Sequence, residues 1–185
     1  MTPEEYLVIE REAEYKSEYY RGEMLAMPSS NANHSRIAVR VAAALSDRID
    51  SGLNWAVYNS DLRVRTEPGG LYTYPDISIV CGKPMFTDDQ RDVLTNPRLI
   101  LEVLSPSTEV KDRGFKFRQY KAIPTLEEYV LVSQSEALLE GYGRQPGGEW
   151  RIYPEASGLD AVFQSRALGI EIPLAQIYRG IDFEA

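Results

Sequence analysis

The run Leu99-Ile100-Leu101-Glu102-Val103-Leu104 reads as a buried β-strand with a carboxylate at its centre. An unpaired carboxylate taken out of water costs several kcal/mol, so the fold that contains this strand must supply Glu102 with a partner. Two kinds of partner are open from the sequence. One is a cation from the basic segment 111–121, where Lys111, Arg113, Lys116, Arg118 and Lys121 stand against the single acid Asp112. The other is a second carboxylate bridged to Glu102 by a metal ion.

Alternation identifies the second carboxylate. In Pro75-Asp76-Ile77-Ser78-Ile79-Val80, Asp76 and Ser78 share one face of a strand and Ile77 and Ile79 the other. In the later run Glu102 shares its face with Ile100 and Leu104. If the two strands are neighbours, Asp76 and Glu102 face each other. Bare carboxylates at that range repel until one takes up a proton, and a hard divalent cation removes the repulsion. Mg²⁺ is typically held by one or two carboxylates completed by water and substrate phosphate oxygens. A metal there lowers the pKa of water and stabilises charge on a phosphate.

The surrounding pattern sets the fold class. Residues 3–16 read as a helix with a Thr2 cap and Pro3 in the first turn, and 17–28 as a hairpin turning at Arg21-Gly22. Ile37, Val41, Ala44, Leu45 and Ile49 recur at helical spacing across 34–50, and Ser51-Gly52 is the expected stop. Runs 55–67 and 71–82 read as strands joined at Pro68-Gly69-Gly70, and 83–96 as a loop with room for one short helical turn. After the Glu102 strand, Ser105-Pro106-Ser107 breaks the chain into a helix over 108–122, with Phe115, Tyr120 and Ala122 as packing candidates and Pro124 as the stop. Residues 127–133, two strands around Gln145-Pro146-Gly147-Gly148, a short strand near 161–168 and a helix after Pro173 complete the order. This predicts a single α/β domain over 1–185, a mixed sheet flanked by helices, with an N-terminal hairpin and a C-terminal β extension.

Composition excludes several functions. With 43% hydrophobic and 26% charged residues the chain is ordinary for a globular protein, and no apolar run reaches the roughly 18 residues of a membrane span. The N-terminus lacks the apolar core of a signal peptide, and the lone Cys81 rules out an intrachain disulfide framework, so a cytoplasmic location is expected. A net charge of −8 argues against nucleic-acid binding by bulk charge, though not against a nuclease whose carboxylates hold a cation. A Cys81–His34 hydrolase lacks an orienting residue, and neither a G-x-S-x-G elbow nor a P-loop lysine motif is present.

Pro75-Asp76, then Glu102-Val103-Leu104-Ser105-Pro106-Ser107-Thr108, then Asp112-Arg113, Lys116 and Tyr120, then Glu128-Tyr129-Val130-Leu131-Val132, together resemble the Uma-two family of restriction-endonuclease-like proteins, within the PD-(D/E)XK nuclease superfamily. The resemblance spans nearly the whole chain. It implies a restriction-endonuclease-like core, with Asp76 and Glu102 as catalytic residues and metal ligands and the backbone carbonyl of Val103 as a further ligand. The superfamily motif places lysine two residues after the acid, where this chain has Leu104. The resemblance assigns that charge to Lys116 on the following helix. Glu23, His34, Gln119 and Tyr120 are candidates for the periphery of the site, each with an ordinary surface or packing role as the alternative. Lys111 and Arg113 are candidates for phosphate contacts, with a solvated helix face as theirs. The implied function is Mg²⁺- or Mn²⁺-dependent hydrolysis of DNA by a metal-activated water, in a homodimer without an organic cofactor. The alternative is an inactive nuclease fold that binds DNA or protein.

Overall fold

The computed structural model describes residues 1–49 and 54–183, so the expected helix stop at Ser51-Gly52 lies outside the described residues. The chain opens with α1 (Pro3–Glu12), which carries a capping box: Thr2 accepts from the Glu5 N–H and Glu5 accepts from the Thr2 N–H. The hairpin β1 (Ser17–Tyr20) and β2 (Glu23–Ala26) turns at Arg21 and Gly22, both at positive φ, as a two-residue turn of this hand requires. Helix α2 (Ala32–Ser46) starts at an Asn31 cap and buries Ile37, Val41, Ala44 and Leu45.

Runs 55–67 and 71–82 do form antiparallel strands, but each breaks in two. Strands β3 (Trp55–Asn59), β4 (Arg63–Arg65), β5 (Tyr72–Thr73) and β6 (Ile77–Cys81) pair as β4 with β5 and β3 with β6, in two different sheets. The stretch expected to be a loop contains β7 (Val93–Leu94), parallel to β4. Val93 and Leu94 are both fully buried, and Asp92 pins the strand in place. Asp92 takes two hydrogen bonds from Arg11 of α1, at 2.8 and 2.9 Å, and pairs with the buried Arg63 of β4. A two-residue apolar step in a polar loop carries no periodicity, so this element, paired with β4 and flanked by the Asp92 ion pairs, has no local signal.

Next comes β8 (Leu99–Val103), then α3 (Glu109–Lys111), a π-helical turn (Asp112–Lys116) and α4 (Phe117–Tyr120) as one continuous helix. Asp112, Lys116, Phe117 and Tyr120 are its buried side chains, and Ile123 just beyond it is buried too. Phe115 only edges against Tyr20, and Ala122, past the end of the helix, is exposed. Strands β9 (Glu128–Val132), β10 (Leu138–Arg144), β11 (Trp150–Ile152), β12 (Ala156–Ser157), β13 (Val162–Ser165) and β14 (Ile170–Pro173) lead to α5 (Leu174–Tyr178).

The central sheet runs β11-β10-β9-β8-β6-β3, with β12 beside β10, and β8 and β9 are its parallel pair. Its two faces follow strict alternation. Ile77, Ile79, Leu99, Leu101, Val103, Val130 and Val132 pack on Ile37, Val41 and Leu45 of α2 and on Ile177 and Tyr178 of α5. Val80, Ile100, Leu104, Tyr129 and Leu131 pack on Phe117, Tyr120, Ile123 and Leu126. A second sheet, β2-β1-β5-β4-β7, and the hairpin β13–β14 complete the architecture. Among the described residues no helix is long and apolar enough to cross a membrane.

The Arg11–Asp92–Arg63 cluster gives a pH signature. Hydrogen bonding from Arg11 is the main cause that holds the Asp92 carboxyl below its usual value of 3.8. Its contribution is therefore complete above the ordinary carboxylate range and is lost as pH falls through the depressed folded value. Asp92→Asn is expected to cost about 1–2 kcal/mol at pH 7 in urea unfolding, with the difference from wild type closing in acid. A constant difference down to the acid limit would contradict this assignment.

Candidate active site

Strands β6 and β8 are antiparallel neighbours, with Ile77 opposite Leu101 and Ser78 opposite Ile100. The same register, carried one residue further, sets Asp76 opposite Glu102. The two meet through the backbone as well. Asp76 Oδ2 accepts the Val103 N–H at 2.7 Å, and Glu102 Oε2 lies 3.4 Å from the Asp76 N–H. Both carboxylates sit on the helix-bearing face, just past the end of β6, where the apolar packing gives way to a cavity of about 930 Å³.

Glu102, only 3% exposed, is partnered on its other oxygen. Oε1 accepts from Tyr120 Oη at 2.6 Å and from Lys116 Nζ at 3.0 Å. Of the two partners open from the sequence, the ion pair with Lys116 is thus directly present, and Asp76 is adjacent. Lys116, 5% exposed, also lies 3.1 Å from Asp112 Oδ1 and 3.5 Å from Glu18 Oε1. Asp112, Lys116 and Tyr120 come four residues apart on one helix, and all three face the sheet. The π-turn between Asp112 and Lys116 has its Asp112 carbonyl taken by the Phe117 N–H and by Tyr129 Oη at 3.1 Å.

His34 arrives from the other side of the sheet. Three residues into α2, its Nε2 lies 3.2 Å from Asp76 Oδ2. Burial opposes charge on this ring, but Asp76 and the backbone of Val103 outweigh it and hold the imidazole above its usual pKa. The Val103 carbonyl therefore faces the same corner as the Asp76 carboxylate.

The electrostatics of the cavity are set by a surplus of acid. Glu18, Asp76, Glu102 and Asp112 line it against Lys111, Lys116 and His34. Burial above all pushes Glu102 up to about 8, with Asp112 and Asp76 adding to the effect and Lys116 opposing it. Burial also raises Glu18, but Lys116, Lys111 and Thr73 overcome it and keep that carboxyl below its ordinary value. Burial would lower Lys116, yet its three carboxylates raise it, so the ammonium stays charged. Burial and Glu102 raise Tyr120, so its hydroxyl remains a donor.

These residues fit a hard divalent cation. Asp76, the Oε2 side of Glu102 and the Val103 carbonyl face one corner, and burial together with the neighbouring carboxylates disfavours negative charge on Glu102, a penalty that a cation would relieve. Among the described residues, no group of three or more His, Cys, Asp or Glu side chains is arranged to hold a metal ion by itself. A Mg²⁺ ion held there would need water and substrate oxygens to complete its shell.

Other sequence candidates lie outside the cavity or are engaged by other protein groups. Glu23 is exposed on β2, opposite Tyr20, and does not line the cavity. Gln119 is half-buried and also outside the lining. Arg113 is taken by Glu109 at 2.7 Å and by Glu140, and Lys111 by Glu18, so the basic segment is mostly neutralised inside the protein. Lys121 lies over the Phe117 ring, 4.2 Å from its centre. Ser105 and Ser107 form a turn in which the Ser105 carbonyl accepts from Thr108 and Glu109. Cys81 ends β6 far from Asp76, and burial raises its thiol pKa.

Two members of the cluster were not singled out from the sequence. Asp112 had a signal, its four-residue spacing from Lys116. Glu18 had none, since nothing local separates it from the other N-terminal glutamates; its burial depends on β1 docking beside β5.

The Uma2 family, described as "Putative restriction endonuclease", matches residues 3–175, and the chain belongs to this family. The uncharacterized protein slr1290 of Synechocystis sp. (strain PCC 6803) is 36% identical over 190 residues, covering 99% of this chain and 94% of that one. The uncharacterized protein sll1609 of the same organism is 35% identical over 152 residues, covering 82% of this chain and 85% of that one. A crystal structure from Anabaena variabilis, described as a putative nuclease belonging to DUF820, aligns with a TM-score of 0.77 at 18% identity, over 97% of this chain and 98% of that one. At that identity the match shows the fold, which is that of a nuclease-like α/β protein.

Lys116→Met would strand three buried carboxylates. We expect it to cost about 3–5 kcal/mol in urea unfolding at neutral pH. Adding Glu102→Gln removes one stranded charge and should recover part of that loss. A single variant within about 0.5 kcal/mol of wild type would show that Lys116 is not the hub of the cluster.

Proposed function

We propose that the protein is a divalent-metal-dependent nuclease that hydrolyses phosphodiester bonds of DNA. The observation that carries this reading is the facing pair Asp76 and Glu102 on adjacent strands, open to a cavity, with a charged lysine bonded to the same glutamate. Family membership supports the class of reaction. Asp76, Glu102 and the Val103 carbonyl would hold Mg²⁺ or Mn²⁺, which supplies Lewis-acid stabilisation of phosphate charge and lowers the pKa of water.

The chain's own residues do the rest. The Val103 N–H fixes the Asp76 carboxylate by its Oδ2 atom. Tyr120 and Lys116 occupy Glu102 Oε1, which leaves Oε2 on the Asp76 side. Lys116 is held charged by its neighbours, so it acts as a fixed positive charge rather than as a base, and stabilises negative charge that develops on the phosphate. Leu104, at the motif position of lysine, is buried in the core and cannot serve, while Lys116 reaches the same carboxylate from the helix. His34 stands at the Asp76 edge of the cavity, within reach of a phosphate oxygen bound there.

Wild type is expected to cut DNA only with Mg²⁺ or Mn²⁺, and to stop on chelation. Asp76→Asn should lower the rate at least about 100-fold without loss of thermal stability. Cleavage that survives chelation, or an active Asp76→Asn protein, would overturn the mechanism. DNA binding that is equal in wild type and Asp76→Asn, with cleavage by neither, would favour the alternative of a non-catalytic module.

A further inference from the structure

Beside the carboxylate cluster, the cavity lining includes the apolar side chains of Tyr15, Met27, Pro28 and Val39, set among several serines and Asn59. Tyr15 is 80% exposed and Val39 66%. Tyr15 makes no ring contact or hydrogen bond to another described residue, yet the chain beneath it is pinned. Lys16 donates to the Ser60 carbonyl at 2.9 Å and to Asp61 at 2.7 Å, and the Lys16 carbonyl accepts the Met27 N–H at 3.0 Å. An exposed aromatic ring therefore lines the cavity next to a backbone position fixed by Lys16.

The cationic side of the lining points the same way. Its lysines are Lys16, Lys111 and Lys116, and each is paired to a carboxylate. Duplex binding draws most of its affinity from free cations along two phosphate backbones, and this cavity presents no such track. Unpaired bases offer something else, a π-face that stacks on an aromatic side chain. In a duplex those faces are already stacked, and reaching one requires extrusion of the nucleotide. The volume, about 930 Å³, is that of a site that encloses a small molecule.

We infer that the substrate of this cavity is single-stranded or unpaired DNA, with one base stacked on Tyr15 and the adjoining phosphate against Asp76 and Glu102. This rests on the nuclease reading above and names its substrate class. Tyr15 is then a specificity residue that contributes binding and not chemistry.

The test uses a short fluorescein-labelled oligodeoxynucleotide, single-stranded or annealed to its complement, with Mn²⁺. Cleavage and fluorescence anisotropy are measured for wild type, Tyr15→Ala and Tyr15→Phe. The expected result is preferential cleavage of the single strand, with a shallow salt dependence. Tyr15→Ala should raise KM about 10-fold with kcat unchanged, and Tyr15→Phe should match wild type. Equal cleavage of duplex and single strand, or an unchanged KM in Tyr15→Ala, overturns the inference and leaves the nuclease reading standing. Tyr15-dependent binding of the single strand without cleavage supports the cavity's ligand and overturns the nuclease reading. Absence of both cleavage and Tyr15-dependent binding overturns the two together.

Discussion

Lys116 is the ion on which the rest of this site depends. Its ammonium lies within 3.5 Å of Glu102, Asp112 and Glu18, which come from the central sheet, from its own helix and from the N-terminal hairpin. One buried charge therefore ties three separate parts of the chain together. Burying it is costly, and only because three carboxylates answer it does the arrangement hold. The balance is still uneven. Burial, with Asp76 and Asp112 close by, raises the Glu102 carboxyl above its ordinary value even though Lys116 opposes the shift. The residual demand for positive charge at the Asp76 corner is the physical basis for placing a cation there.

The same charge balance explains how an acidic protein can carry a basic segment without being a general DNA binder. The cluster at 111–121 looks like a phosphate-binding stripe when written out. In the folded protein Lys111 and Lys116 turn inward to the acid cluster, Arg113 spans Glu109 and Glu140, and Lys121 lies over Phe117. Arg118 alone stays exposed and without a partner among the described residues. Charge that a sequence displays as a surface property here serves internal pairing.

Much of this was legible in advance, because its determinants are local or periodic. Alternation in two short runs placed Asp76 and Glu102 on one face, and the register between β6 and β8 sets them opposite each other. Lys116 and Tyr120, one turn apart, both reach Glu102. The features that escaped depend on distant contacts. Glu18 matters only because β1 docks beside β5, and β7 pairs with β4 where Asp92 meets Arg11 and Arg63. The division of runs 55–67 and 71–82 between two sheets also has no local mark. The π-turn has none either.

The central claim is that Asp76 and Glu102 share a divalent cation. Calorimetric titration of Mn²⁺ into metal-free wild type and Asp76→Asn tests it most directly, alone and with a short oligodeoxynucleotide present. The account predicts Mn²⁺ binding by wild type that disappears in a folded Asp76→Asn protein. Binding of equal strength in the two proteins, or no binding by wild type even with the oligonucleotide, would contradict it and leave Glu102 as the partner of Lys116 alone.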